Sequence, residues 1–247
     1  MDNLPVDTAS IVSRAKGILT APDAEWAKVA TETDQPMQVF LRYALPLIII
    51  GPVASFIGMQ VFGLGAMGVS VRIGLVPGIT IAVVSLVMAM VSLWVMAWVA
   101  NMLSPNFGGK SDFASAFRLM AYSYTAAWLA QIFGIVPMLS ILGIVGLYSF
   151  YLLYKGVTPV MGVPQEKAVG YTVVTVLVGI VAMFVASLVV STVTGPMMVN
   201  AAMSSASSDM SIDLGDAGSI QTSQDGGTMT ITGPNGEEAT ITVNDNK

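Results

Sequence analysis

The sequence predicts an all-α membrane protein: a bundle of five transmembrane helices with a short N-terminal helical segment and a polar, partly β-hairpin or disordered C-terminal tail. Two observations carry this. The chain is 54% hydrophobic and only 10% charged, whereas a soluble domain carries roughly 25% charged residues. Between Tyr43 and Val193 the acidic and basic side chains are nearly confined to Arg72, the Lys110–Arg118 stretch, Lys155 and the Glu166–Lys167 pair. A bilayer imposes that pattern, because each charge at its centre costs about 2.5–3.5 kcal/mol or more. Three regions follow: a cytoplasmic amphipathic segment (1–37), a five-helix membrane domain (38–196) and an acidic extracytoplasmic tail (197–247).

Two short helices are expected before the membrane. Ile11, Val12, Ala15, Ile18 and Leu19 recur at helical spacing in ASIVSRAKGIL. Thr20 is placed to cap the next helix, with Pro22 in its first turn and Asp23 three residues on. Trp26, Val29 and Ala30 make one apolar stripe there. Tryptophan favours the headgroup level, so this helix either lies on the membrane or packs as half of a helical pair on the cytoplasmic loops. No apolar run in the first 35 residues is long enough for a signal-peptide core. The first span is therefore expected to act as the insertion signal.

That span covers about 43–62, where Pro46 and Pro52 predict a kink or a locally unwound stretch. A glycine-rich connection leads to the second, about 78–100, with Trp94 and Trp98 near one end. From Leu119 to Tyr154 there are 36 residues without a charge. As one helix they would reach roughly 54 Å, far beyond a hydrocarbon core of about 30 Å. They must fold back, at Gly134 and Pro137, into spans of about 119–135 and 137–154. The last span is about 170–193, ended by Thr194-Gly195-Pro196. In the tail, Thr228–Thr232 and Glu238–Val243 alternate apolar and polar residues around a GPNGE turn, a hairpin signal. The stretch up to about Ile220 is expected to be disordered.

Lysine and arginine orient the bundle. One side of a five-span arrangement holds Arg14, Lys16, Lys28, Arg42, Lys110, Arg118, Lys155 and Lys167; the other holds Arg72 and Lys247. The positive-inside rule assigns the first group and the N-terminus to the cytoplasm, and the C-terminus to the outside.

Composition also excludes chemistry. There is no cysteine and no histidine, hence no disulfide, thiolate, imidazole shuttle or histidine metal ligand. A net charge of −5 argues against nucleic acid. No paired carboxylates lie in a span, no catalytic or nucleotide-binding motif stands in its required context, and no cofactor or metal is expected. The intramembrane serines (Ser85, Ser92, Ser123, Ser140, Ser187) have no base beside them in sequence and read as donors to their own or a neighbouring helix. Arg118, at the cytoplasmic edge of the third span, reads as snorkelling to headgroup phosphates, with Asp112 as the alternative partner. Gln131 reads as an interhelical hydrogen bonder. Small residues at i, i+4 spacing (Gly74/Gly78, Ala126/Ala130, Ala182/Ala186) mark helix-packing faces or a homo-oligomer contact. The seventeen methionines read as packing residues.

Three stretches carry a resemblance. RAKGILTAPDAEWAKVATE (Arg14 to Glu32), YALPLIIIGPVASFIG (Tyr43 to Gly58) and MGVPQEKAVGYTVV (Met161 to Val174) resemble bacterial members of the Yip family of Rab-GTPase-interacting membrane proteins. The likeness covers about Val12 to Val193 and implies five spans. Eukaryotic members of the family act in vesicle traffic, binding prenylated GTPases through cytoplasmic N-terminal regions. This chain lacks the Asp-Leu-Tyr-Gly-Pro signature of those regions and its N-terminal segment is short, which argues against a GTPase partner.

The sequence therefore points to a non-enzymatic protein of the bacterial inner membrane that organises lipids or partner proteins. Its contacts would come from a basic cytoplasmic face of Arg14, Lys16, Lys28, Arg118, Lys155 and Lys167, with Trp26 nearby. A small-solute transporter or channel built on the proline-broken first span is the alternative.

Overall fold

The computed structural model describes residues 8–62, 64–66, 69–71, 74–208, 211–213, 219–223, 228–232 and 237–242. Arg72, the turn at 233–236 and Lys247 lie outside the described residues. The chain is mostly helical.

Ile11, Ala15 and Ile18, three or four residues apart, are the buried face of α1 (Thr8–Thr20). The Thr20 cap is not formed. Helix α1 runs through Thr20, whose hydroxyl turns back and donates to the Lys16 carbonyl at 2.8 Å, and Ala21 precedes α2 (Pro22–Thr31) instead. Asp23 and Glu25 stand in the first turn of α2, at its positive end.

Helix α3 (Pro36–Val39), a π-helical turn (Phe40–Ala44) and α4 (Leu45–Phe62) continue as one apolar helix. Pro46 has no amide hydrogen to give the ladder, and the turn before it loosens: the Leu45 amide reaches back five residues to the Phe40 carbonyl. The first span is thus eased by a π-turn rather than unwound. A two-stranded hairpin, β1 (Leu64–Ala66) with β2 (Val69–Val71), leads to α5 (Leu75–Leu103), which a 3-10 turn extends to Phe107. Ile79, Val83, Val87, Val91, Val95 and Trp98 form an exposed line along α5, three or four residues apart. This is the face a lipid would cover.

The uncharged 119–154 stretch does fold back at Gly134–Pro137, but not as two plain helices. It forms α6 (Phe113–Ser123), α7 (Thr125–Ala130), a 3-10 turn (Gln131–Ile135), an 11-residue 3-10 helix (Pro137–Leu147) and α8 (Tyr148–Met161). At the break at Tyr124 the Thr125 hydroxyl donates to the Tyr122 carbonyl at 2.7 Å. Helix α9 (Gln165–Ser208) runs on through Pro196 instead of ending there; a proline removes one ladder hydrogen bond and need not stop a helix. Four short strands follow in antiparallel order, Ser211–Asp213, Ser219–Ser223, Thr228–Thr232 and Glu238–Thr242.

Among the described residues, four helices are long and apolar enough to cross a membrane: Pro36–Phe62, Leu75–Phe107, Met138–Met161 and Gln165–Thr192. The broken segment 113–135 is not one of them. It runs beside α4 and in the same direction: Tyr43 meets Thr125, Gly51 lies against Gln131, and Gly58 lies against the carbonyls of Gly134 and Ile135. From Gly51 to Gly58 an α-helix advances about 10 Å. The four residues from Gln131 to Ile135 advance about 8 Å because a 3-10 turn rises about 2.0 Å per residue, where an α-helix would give only about 6 Å.

The buried core lies around α6, between α2, α5 and α8, and holds Trp26, Phe117, Leu119, Leu152 and Val157 at 0% exposure. Trp26 comes so close to α8 that a Cβ on Gly156 would stand 2.7 Å from both its ring and Leu119. Glycine is required there for want of room. Trp26→Ala should cost about 3–5 kcal/mol through lost burial and cavity formation, read as a lower thermal midpoint of the detergent-solubilised full chain and faster trypsin cleavage after Lys16 and Lys28. Gly156→Val should reproduce both effects.

Candidate functional site

Two places on the molecule gather polar chemistry, and the first is the seam between the N-terminal helices and the bundle. Arg14 on α1 donates to Glu25 at 2.8 Å and pairs with Glu32, while its guanidinium lies 5.3 Å over the Tyr122 ring. Lys28 reaches the second oxygen of Glu25 at 2.9 Å. Lys155 of α8 binds Asp23 at 2.9 Å. Burial by itself would lower the Arg14 pKa, but Tyr122, Glu32 and Glu25 outweigh it and hold the pKa above its ordinary value. Tyr122 donates to Glu32 at 3.4 Å and packs edge-on to Trp26 and Tyr43. The Tyr43 hydroxyl meets Thr125 at 2.7 Å.

Arg118 is not at the surface, and it reaches Asp112, its expected alternative partner, only through Ser115. It is 5% exposed, buried inside this seam, and donates to the Asp34 carbonyl at 2.8 Å and to Ser115 Oγ at 3.0 Å. Ser115 in turn donates to Asp112, so the buried cation meets its acid through one hydroxyl. Asp112 caps α6, accepting from the amides of Ala114 and Ser115. The Ser115 hydroxyl first, then those amides and nearby Lys110, hold its carboxyl below the usual aspartate value. Trp26 has no exposed surface: its ring is packed within the seam. Lys16 and Lys167, with Lys110 and Arg42, are exposed. None of these four forms an ion pair among the described residues.

The second place is a cavity of about 640 Å³ inside the bundle, walled by α5, α7, the long 3-10 helix, α8 and α9. Its lining is mostly apolar, including Met96, Trp128, Phe150 and Leu153, and contains no charged residue among the described residues. Hydroxyls interrupt it at Ser55, Ser92, Ser123, Ser140, Ser149 and Thr175. A smaller cavity of about 260 Å³ on the α4 side shares Ser55, Ala89 and Gln131 with it. The Ser149 hydroxyl accepts from the Ala127 amide at 2.9 Å, an orphan donor in the first turn of α7.

The expected packing residues divide accordingly. Gly78 is a close approach, with Gln60 and Phe56 where its Cβ would be, whereas Gly74 is exposed before α5. Ala126 and Ala130 are buried, and Ala130 faces Gly146 of the 3-10 helix. Ala182 and Ala186 are half-buried at the cavity edge, and Gln131 stands on the wall common to both cavities. Sequence reasoning missed Asp23, Glu25 and Glu32 as ion-pair partners. The i, i+3 spacing of Glu25 and Lys28 was the one local signal available.

The Yip1 domain family matches residues 16–187, and the chain belongs to that family. Inner membrane protein YohC of Escherichia coli K12 is 21% identical over 174 residues, covering 68% of this chain and 89% of that protein. YohC of Escherichia coli O6:H1 matches to the same extent. No solved structure matches. With its apolar helices, the chain is an integral membrane protein.

The α6 cap makes a pH prediction. A depressed folded pKa gives stability that is complete above the unfolded value, about 4, and is lost as pH falls through the lower folded value. Asp112→Ala should cost about 1 kcal/mol at neutral pH, seen as a lower thermal midpoint. That difference from the wild type should shrink below about pH 4, and Asp112→Asn should recover most of it at pH 7.

Proposed function

We propose that this Yip1-domain protein resides in a bacterial inner membrane, carries out no reaction of its own and organises anionic lipid or partner proteins at the cytoplasmic surface. One observation carries the reading. At the seam, Arg14, Lys28 and Lys155 are matched by Glu25, Glu32 and Asp23, while Lys16, Lys110 and Lys167 remain exposed and have no ion-pair partner among the described residues. Lys110 and Lys167 flank one loop: the Lys110 amide donates to the Met161 carbonyl at 2.8 Å, and Lys167 Nζ lies 3.9 Å from where a Gly108 Cβ would be. Unmatched cations beside apolar helices suit phosphate headgroups, at about 1 kcal/mol each.

We also propose five crossings, with the N-terminus in the cytoplasm and the tail outside. The matched depths of α4 and the 125–135 segment support it, since the fold-back at Gly134–Pro137 then lies near the far end of α4. Replacing Lys16, Lys110 and Lys167 with glutamine should lower the enrichment of phosphatidylglycerol over phosphatidylcholine around the full chain in nanodiscs by about five-fold per charge removed. Equal enrichment in the variant would end the headgroup reading. The chain has no native cysteine, so one introduced near residue 240 should react with an impermeant maleimide in intact cells. Reaction only after lysis would reverse the orientation.

A further inference from the structure

The bundle cavity holds an observation that helix packing leaves unexplained. Ser123, 1% exposed, stands on the cavity wall, and its hydroxyl has no hydrogen-bond partner among the described residues. A serine in a helix usually satisfies itself on the carbonyl one turn back; Thr125, Ser187 and Ser191 do so, at 2.7–2.8 Å. In a bilayer an unsatisfied hydroxyl costs free energy, and no bulk water is at hand to relieve it. It is the kind of group that a ligand completes.

The cavity's shape and chemistry restrict that ligand. About 640 Å³ falls within the range of roughly 300–1,000 Å³ typical of small-molecule sites. Apolar side chains line most of it, which suits a hydrocarbon chain. The absence of charge in the lining excludes a phosphate or ammonium at depth, since an unpaired ion there would be prohibitively expensive. Its lining includes Leu147 of the long 3-10 helix and Met183 of α9, 55% and 75% exposed, which puts an opening between those two helices, beside Gly143. With α9 in a bilayer, an opening beside so exposed a residue gives lateral entry from the lipid. A Cβ at Gly143 would meet open space.

We propose that this cavity binds an uncharged, chain-bearing lipid of acylglycerol chemistry, its hydroxyl or ester carbonyl hydrogen-bonded to Ser123 and its chain lying along Met96, Phe150 and Met183. The inference needs the bundle to sit in lipid but does not rest on the headgroup contacts of Lys16, Lys110 and Lys167.

The test uses the full chain in nanodiscs with two photoactivatable lipids carrying the same diazirine-bearing chain, one a diacylglycerol and the other a phosphatidylglycerol. The diacylglycerol probe should label peptides 137–150 and 175–186. Ser123→Ala should weaken that labelling by about two- to ten-fold, the range of one hydrogen bond. Gly143→Phe, which places a ring in open space at the mouth, should weaken it at least ten-fold. Both variants should keep the wild-type thermal midpoint, and Ser123→Ala suffices if the larger substitution disturbs folding. Cavity labelling unchanged in Ser123→Ala would overturn the proposal. So would equal labelling of those peptides by the phosphatidylglycerol probe, which would make the cavity a slot for any acyl chain.

Discussion

A polar group inside a bilayer has no water to fall back on, and the arrangement of this molecule follows from that. At one departure from a plain helix, a side chain takes up the polar group that the departure releases. The break at Tyr124 frees the first amides of α7, and Ser149 of α8 accepts from one of them. The Tyr171 hydroxyl on α9 donates to the Ala100 carbonyl of α5 at 2.8 Å. Thr125 joins α7 to Tyr43 and to the Tyr122 carbonyl at once. These bonds join helices that hydrophobicity alone would not hold, because lipid tails are as apolar as leucine.

The N-terminal helices extend the same logic to the membrane edge. Glu25, 8% exposed, would be costly to bury alone; held between Arg14 and Lys28 it is matched. Isolated surface ion pairs contribute little, so the weight of the docking rests on Trp26 against Gly156 and Leu119, with the charges fixing its register. Lys16, Lys110 and Lys167, like Arg42, are cations the seam does not use. Structure and proposed contact thus divide one set of basic residues between them.

Much of this was legible in the sequence, for reasons that differ by element. The long apolar helices were plain because the bilayer forbids charge over some 20 residues, and the α1 pattern because burial repeats every turn. The Yip family was expected from Arg14–Glu32, Tyr43–Gly58 and Met161–Val174, and the match over 16–187 shows it. The fate of the cations was not legible: Arg14 finds acids 11 and 18 residues away, and Lys155 finds one 132 residues away. Separations of that size are decided by tertiary packing. Nor could periodicity disclose the break at Tyr124, since Thr125 is compatible with an unbroken helix, and Thr192 makes the same bond to the carbonyl three residues back inside the continuous α9. The unpaired state of Ser123 is likewise a property of the assembled wall.

The 3-10 helix at Pro137–Leu147 has a mechanical consequence. Runs of that geometry rarely exceed three or four residues because their hydrogen bonds are poorly aligned, and this one has 11. Rewound as an α-helix, the same residues would span about 16 Å in place of about 22 Å. Bilayers differ in thickness by only a few ångströms. A segment able to shorten by about 5 Å without breaking covalent continuity would let the fold-back rise or sink with the sheet of lipid around it, an extensible strut in a bundle of stiff ones.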